Sequence, residues 1–131
     1  MGGRYGRLTR YCREQVGESL LSVFSYTEGA AELHYVHEDL KAEFRGGGLS
    51  RYQEAVWAIH TSVLQEAPKV EVFGNYRATV HAFERAFSVQ FRVDDAFVVV
   101  ALDREVGRNL HQFLLECERH IRRSTAAERD G

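Results

Sequence analysis

The stretch FSVQFRVDDAFVVVALD, residues 87–103, decides the fold. Its first half alternates: Phe87, Val89, Phe91 and Val93 fall on one face, and Ser88, Gln90 and Arg92 on the other. That period of two is the mark of a strand with one buried face, so the first set is expected to face the core and the second to point outward. Asp94 and Asp95 suit a tight turn. The second half, Ala96–Leu102, is apolar at every position, as expected of a central strand covered on both sides.

Working outward, YRATVHAF (76–83) alternates as well and makes a third strand of the same meander. KVEVF (69–73) reads as either a short extra strand or a lead-in to it. Toward the N-terminus, SLLSVFSY (19–26) and AELHYVH (31–37) read as two strands joined by the Thr27-Glu28-Gly29 turn. Downstream, Asp103 is a good N-cap for a last helix with an expected core stripe of Val106, Leu110, Phe113, Leu114, Cys117 and Ile121. RRSTAAERDG (122–131) reads as a polar tail that frays.

Two further helices complete the pattern. Residues 5–17 repeat Leu8, Cys12 and Val16 at i, i+4, i+8, with Gly17 as the stop. After the loop RGGGLS (45–50), Ser50 and Gln53 have the capping-box form, and the helix runs to about Glu66, just before Pro68. Tyr52, Val56, Ile59 and Val63 form its core stripe, while Trp57, His60 and Leu64 form a second stripe beside it. Together they span an apolar arc of about 160° at 100° per residue, wider than one buried face needs. Two readings stand: a helix sunk deeply in its own core, or one whose Trp57 edge meets another chain.

The element order is α-β-β-α-β-β-β-α. The expected architecture is one α+β domain, residues 1–121, with a five-stranded antiparallel sheet flanked by helices, followed by the tail 122–131. At 131 residues, 44% hydrophobic and with one proline, the chain can bury a core without disulfide staples. A net charge of −2 gives no electrostatic reason for capture by nucleic acid or an anionic membrane. Only Lys41 and Lys69 among the 17 basic residues are lysine, and the arginines are scattered. Two cysteines make no disulfide framework, no apolar run is long enough to span a membrane, and the N-terminus lacks a signal-peptide core. A cytoplasmic protein is expected.

The element order, the short TEG hairpin, the long middle helix after a loop, and FVVVALDREVGRNLHQFLLECERHI together resemble the roadblock/LC7 family of profilin-like proteins over about residues 5–121. That resemblance implies a homodimer or heterodimer formed through the middle helix and the first strand of the meander. It implies regulation or scaffolding of small Ras-like GTPases, with no catalytic residues and no cofactor. Carried onto this sequence, the interface positions are Trp57, His60 and Leu64 on the helix and Tyr76, Arg77, Thr79 and His81 on the strand. CREQVGESLLSVFSY, LHYVHEDL and GNYRATVHAFE are also similar to small uncharacterised haloarchaeal proteins, an archaeal-like likeness that implies no activity.

Candidate chemistry is sparse. In AAELHYVHEDL (30–40), strict alternation would put His34 and Glu38 on one face and His37 and Asp39 on the other, so the two histidines could not chelate one ion. The stretch then reads as an edge strand whose polar groups discourage sheet-to-sheet pairing, unless His37 and Asp39 leave the strand and meet something distant. Cys117 and His120 stand at i, i+3, but a structural zinc site needs four ligands. Gly46-Gly47-Gly48 precedes a helix without the lysine or spacing of a phosphate loop. No GxSxG, SxxK or HExxH motif occurs. The expectation is a non-enzymatic interaction protein without metal or cofactor. Alternatives are a small-molecule-sensing domain or enzyme with a pocket between sheet and helices, near Tyr26, Tyr35, Phe83 and Phe87, and, more weakly, a nucleic-acid-associated protein using Arg4, Arg7, Arg10, Arg119, Arg122 and Arg123.

Overall fold

The apolar run Ala96–Val100 is buried throughout, and everything else is arranged to cover it. The computed structural model describes residues 5–66 and 71–130, with side chains other than those of 58–66, 71, 114 and 124–130. It is an α+β domain: α1 (Gly6–Val16), β1 (Leu20–Tyr26), β2 (Ala31–Val36), a helical turn α2 (Lys41–Glu43), α3 (Leu49–Glu66), β3 (Thr79–Ala82), β4 (Ala86–Val93), β5 (Ala96–Asp103) and α4 (Arg108–Asp130). The five strands form one antiparallel sheet in the order β2-β1-β5-β4-β3, with β5 central as its composition requires.

Two layers cover the sheet. On one face Phe24, Tyr26, Phe97 and Val99 meet Phe44, Leu49, Tyr52, Val56 and Trp57, so α3 and the segment before it form that layer. On the other, Leu20, Val23 and Val100 meet Leu8, Cys12 and Val16 of α1. α4 docks on this second face through its start: a Cβ on Gly107 would lie 2.7 Å from the Phe87 ring, and His111 meets the same ring edge-on at 6.0 Å.

β4 follows the sequence expectation only in part: Phe87 is buried and Arg92 exposed as expected, but the positions expected to point outward are not all open. Ser88 and Gln90 are buried, at 4% and 1% exposure, while Phe91 is partly open to solvent. The cause is a polar network under α3. The Tyr26 hydroxyl donates to Gln90 Oε1 (2.9 Å), Gln90 Nε2 bonds the Tyr52 hydroxyl, and that hydroxyl pairs with Ser88 Oγ (3.0 Å). Burial raises the Tyr26 and Tyr52 phenols above their ordinary range, in keeping with protonated hydroxyls in this network. A satisfied polar cluster can occupy a core face that the apolar pattern alone would assign to solvent.

Other boundaries also shift. Gln53 closes no capping box: it is buried, and its Nε2 donates to the carbonyls of Thr27 (2.6 Å) and Glu28 (2.9 Å), tying α3 to the β1–β2 turn. α3 begins at Leu49, one residue before the expected Ser50 cap. The glycine run is a kinked helical turn rather than a loop. Gly47 sits at φ +96°, and a Cβ on Gly48 would come within 2.9 Å of the Glu43 carbonyl. Residues 71–73 form a short 3-10 turn, not a strand; residues 69–70 lie outside those described. β3 is confined to four residues. α4 carries on through 122–130, the segment read as a fraying tail, which holds helix formers such as Ala126 and Ala127 and no breaker before Gly131.

Two substitutions test this packing. Tyr26→Phe leaves the buried Gln90 carbonyl oxygen without that hydroxyl and is expected to cost about 1–3 kcal/mol in urea unfolding. Gly107→Ala forces a methyl into the Phe87 ring and is expected to cost about 1–3 kcal/mol by overpacking; an unchanged midpoint would show that α4 does not dock there.

Candidate functional site

The stretch 30–40 lies along β2, and a bulge rearranges it. Val23 pairs with Tyr35 but Phe24 pairs with Leu33, so His34 is the extra residue. A bulge breaks the alternation of faces. His34 bonds Ser25 Oγ through Nε2 (2.8 Å) and meets the Tyr5 ring edge-on at 4.9 Å. Its neighbour Tyr35 packs on the same side, in the cluster beneath α1.

β2 ends at Val36, so His37 does leave the strand. Its Nδ1 accepts from the Asp39 amide (3.1 Å) and its Nε2 reaches Glu18, just after α1 (2.8 Å). The expectation that the histidines point to opposite faces therefore fails: both engage the α1 side. They bond different partners, however, and among the described residues no three His, Cys, Asp or Glu side chains are grouped to hold a metal. The Ser25–His34 pair has the residue types of a nucleophile and its base, but among the described residues no carboxylate is bonded to the imidazole to orient it.

Between α1 and β2 opens a cleft of about 670 Å³. Arg10, Arg13 and Glu14 approach from the helix, and Glu32, His34 and Tyr35 from the strand. The Arg13 guanidinium lies 5.2 Å from the Tyr35 ring centre, a cation–π distance. The sequence offered one signal for this cleft, the density of charge in α1 opposite 30–40. The bulge that aims His34 into it had none.

The expected interface residues are placed as follows. Trp57 is half-buried and packs edge-on against Tyr26 (6.0 Å) and Phe97 (5.7 Å). His60 and Leu64 lie in α3, but their side chains are outside those described. Tyr76 bonds Thr79 Oγ1 just ahead of β3, and Arg77 is exposed. Thr79 and His81 pair with Gln90 and Ser88, so they sit on the α3 face of the sheet edge. The structure thus gathers the strand residues on one edge and packs the half-buried Trp57 against the aromatic core.

On α4 the stripe expected in the core is exposed over much of its length, with Leu110, Phe113 and Ile121 open to solvent and Cys117 partly covered. No helix among the described residues is long and apolar enough to cross a membrane.

The chain belongs to the family described as a domain of unknown function, DUF7522. The match spans residues 6–122, from the start of α1 to the second half of α4, so the cleft, the β3 edge and the exposed row of α4 all lie within the family domain. No curated protein and no solved structure matches the chain.

Burial holds the His34 and His81 imidazoles below their ordinary value of 6.5, with Glu32 opposing the shift at His34. A depressed imidazole pKa means that the unfolded chain takes up protons first as pH falls. The stability tied to these two groups is therefore present above 6.5 and lost as pH drops below it. NMR titration should give a His34 midpoint under 6.5, with urea stability declining over the same range; a midpoint at or above 6.5 would contradict the buried, neutral assignment.

Proposed function

We propose that the protein is a non-enzymatic, dimeric interaction protein that assembles along the open edge of β3 and the adjoining side of α3. The observation that carries this reading is an asymmetry between the two sheet edges. A sheet edge presents unpaired backbone donors and acceptors, and proteins that must stay apart guard it with bulges and charge. The β2 edge has such guards: the His34 bulge and the exposed Glu32, beside a partly exposed Leu33. Among the described residues the β3 strand itself, Thr79–Ala82, has no bulge and no charged side chain, the nearest charges being those of Arg77, Glu84 and Arg85 on the segments beside it. Val80, paired with Val89 on the face away from α3, is 51% exposed, and Val72, Phe73 and Phe83 are exposed on the segments that flank the strand.

Tyr76, Arg77, Thr79 and His81 lie on or beside this edge, the strand through which the roadblock/LC7 resemblance implies pairing. The same resemblance names a small Ras-like GTPase as a partner class for the assembled dimer, and it supplies no catalytic role. Trp57 enters this reading as a support beneath α3 rather than as an anchor, because its ring is engaged with Tyr26 and Phe97.

Val80→Lys places a charge on the edge without disturbing the core. It is expected to weaken self-association about tenfold or more in light scattering after size exclusion, the effect of removing one apolar anchor. A wild-type chain that stays strictly monomeric at micromolar concentration would overturn the proposal.

A second reading rests on the α1–β2 cleft, whose volume is in the range of small-molecule sites. Its mixed lining, with Arg10, Arg13 and Glu14 on the helix and Glu32 on the strand, suits a ligand carrying both a cationic and an anionic group. Such a ligand should raise Tm in a metabolite thermal-shift panel, and Arg13→Ala should abolish the shift; no shift across the panel removes this reading.

A further inference from the structure

α4 carries a row that its own sheet does not cover. Leu110, Phe113 and Cys117 follow one another within α4 at steps of three and four, the spacing of core positions in a coiled coil; Ile121 continues the row, and Val106 extends it from the 3-10 turn that precedes the helix. Val106, Leu110, Phe113 and Ile121 are 42%, 47%, 64% and 63% exposed. The helix reaches its own sheet through a different side: Gly107 and His111 meet Phe87, roughly 100° round the axis from the row at 100° per residue.

We propose that a second copy of this chain covers the row, α4 of one protomer packing against α4 of the other. The extent of the surface supports this occupant. With about 200 Å² for a phenylalanine and somewhat less for the aliphatic residues, the row leaves on the order of 400 Å² of apolar surface open. A stable interface buries roughly 800 Å² per partner, a little over half of it apolar, so the row supplies most of the apolar share for one side of a symmetric dimer.

The flanking charges fit the same occupant. Glu116 pairs with Arg119 at 2.9 Å and Glu118 with Arg122 at 3.7 Å along the helix. Both glutamates are thus matched by arginines within each α4, and Arg108 and Arg123 lie well round the axis from the row at 100° per residue, so two copies meet along the row without a like-charge field between them. Core positions at heptad spacing also fit a copy of themselves, each side chain entering the space between those opposite.

This surface is distinct from the β3 edge. A chain using both interfaces assembles beyond a dimer, and each interface can be broken separately. The measurement is mass by light scattering for the full chain, Phe113→Glu, Leu110→Lys and Val80→Lys, with circular dichroism to confirm that each variant is folded. Cross-linking adds a direct probe: Glu116→Cys in a Cys12→Ser, Cys117→Ser background, treated with a short bis-maleimide, places an exposed thiol beside the row.

The expected result is a wild-type assembly larger than a dimer. Phe113→Glu and Leu110→Lys should each raise the dissociation constant of one step by about thirtyfold or more and abolish the cross-link. Unchanged mass and cross-linking in both variants would overturn the α4 pairing, as would an absence of cross-linking. Dissociation by Val80→Lys alone would sink the α4 proposal and leave the β3 reading standing; dissociation by the α4 variants alone would do the reverse. A monomeric wild-type chain would overturn both.

Discussion

A strand that is apolar on both faces cannot sit at the surface of a sheet or at its edge. Ala96–Val100 is such a strand, and its burial organises the domain. β1 and β4 must flank it to satisfy its backbone, and helices must lie on both sides to shield its side chains. α3 answers on one face and α1 on the other. The hydrophobic effect sets the requirement, and the sheet hydrogen bonds determine which strands meet it.

Coverage on both sides explains why polar residues can be found deep inside. Once α3 lies across β4 and β5, Ser88 and Gln90 are buried whatever their chemistry, and they are tolerated because Tyr26 and Tyr52 supply matched donors and acceptors. Gln53 does similar work at the β1–β2 turn, donating to the carbonyls of Thr27 and Glu28. The aromatic residues of this layer are therefore both core and polar framework. Trp57 joins them through Tyr26 and Phe97.

The coverage weakens away from β5. The sheet ends in two edges of unlike character: β2 is bulged and carries charge toward a cleft under α1, and β3 is short and flanked by exposed apolar side chains. α4 touches the sheet at its first turns and then extends with its apolar row outward. A single copy of the domain satisfies its centre and leaves its periphery incomplete, and that imbalance is the physical basis for reading it as a protein that works through association.

Much of the architecture was legible from periodicity. The strand spacing of two in 87–93, the apolar run after it, and the i, i+4, i+8 repeat of Leu8, Cys12 and Val16 are local properties, and local sterics with side-chain partition suffice to place those elements and their order. Position within the tertiary structure decided the rest. That Ser88 and Gln90 of β4 are buried, in addition to Phe87 on the other face, depends on where α3 lands. His34 is turned toward α1 by a register shift between two strands, and register is a property of the pair. The stripe of α4 has helical spacing in any context, but whether its own chain can reach it is set by Gly107 and His111 against Phe87. Periodicity reports that a surface needs covering; only the three-dimensional arrangement shows how much of it a single chain can cover.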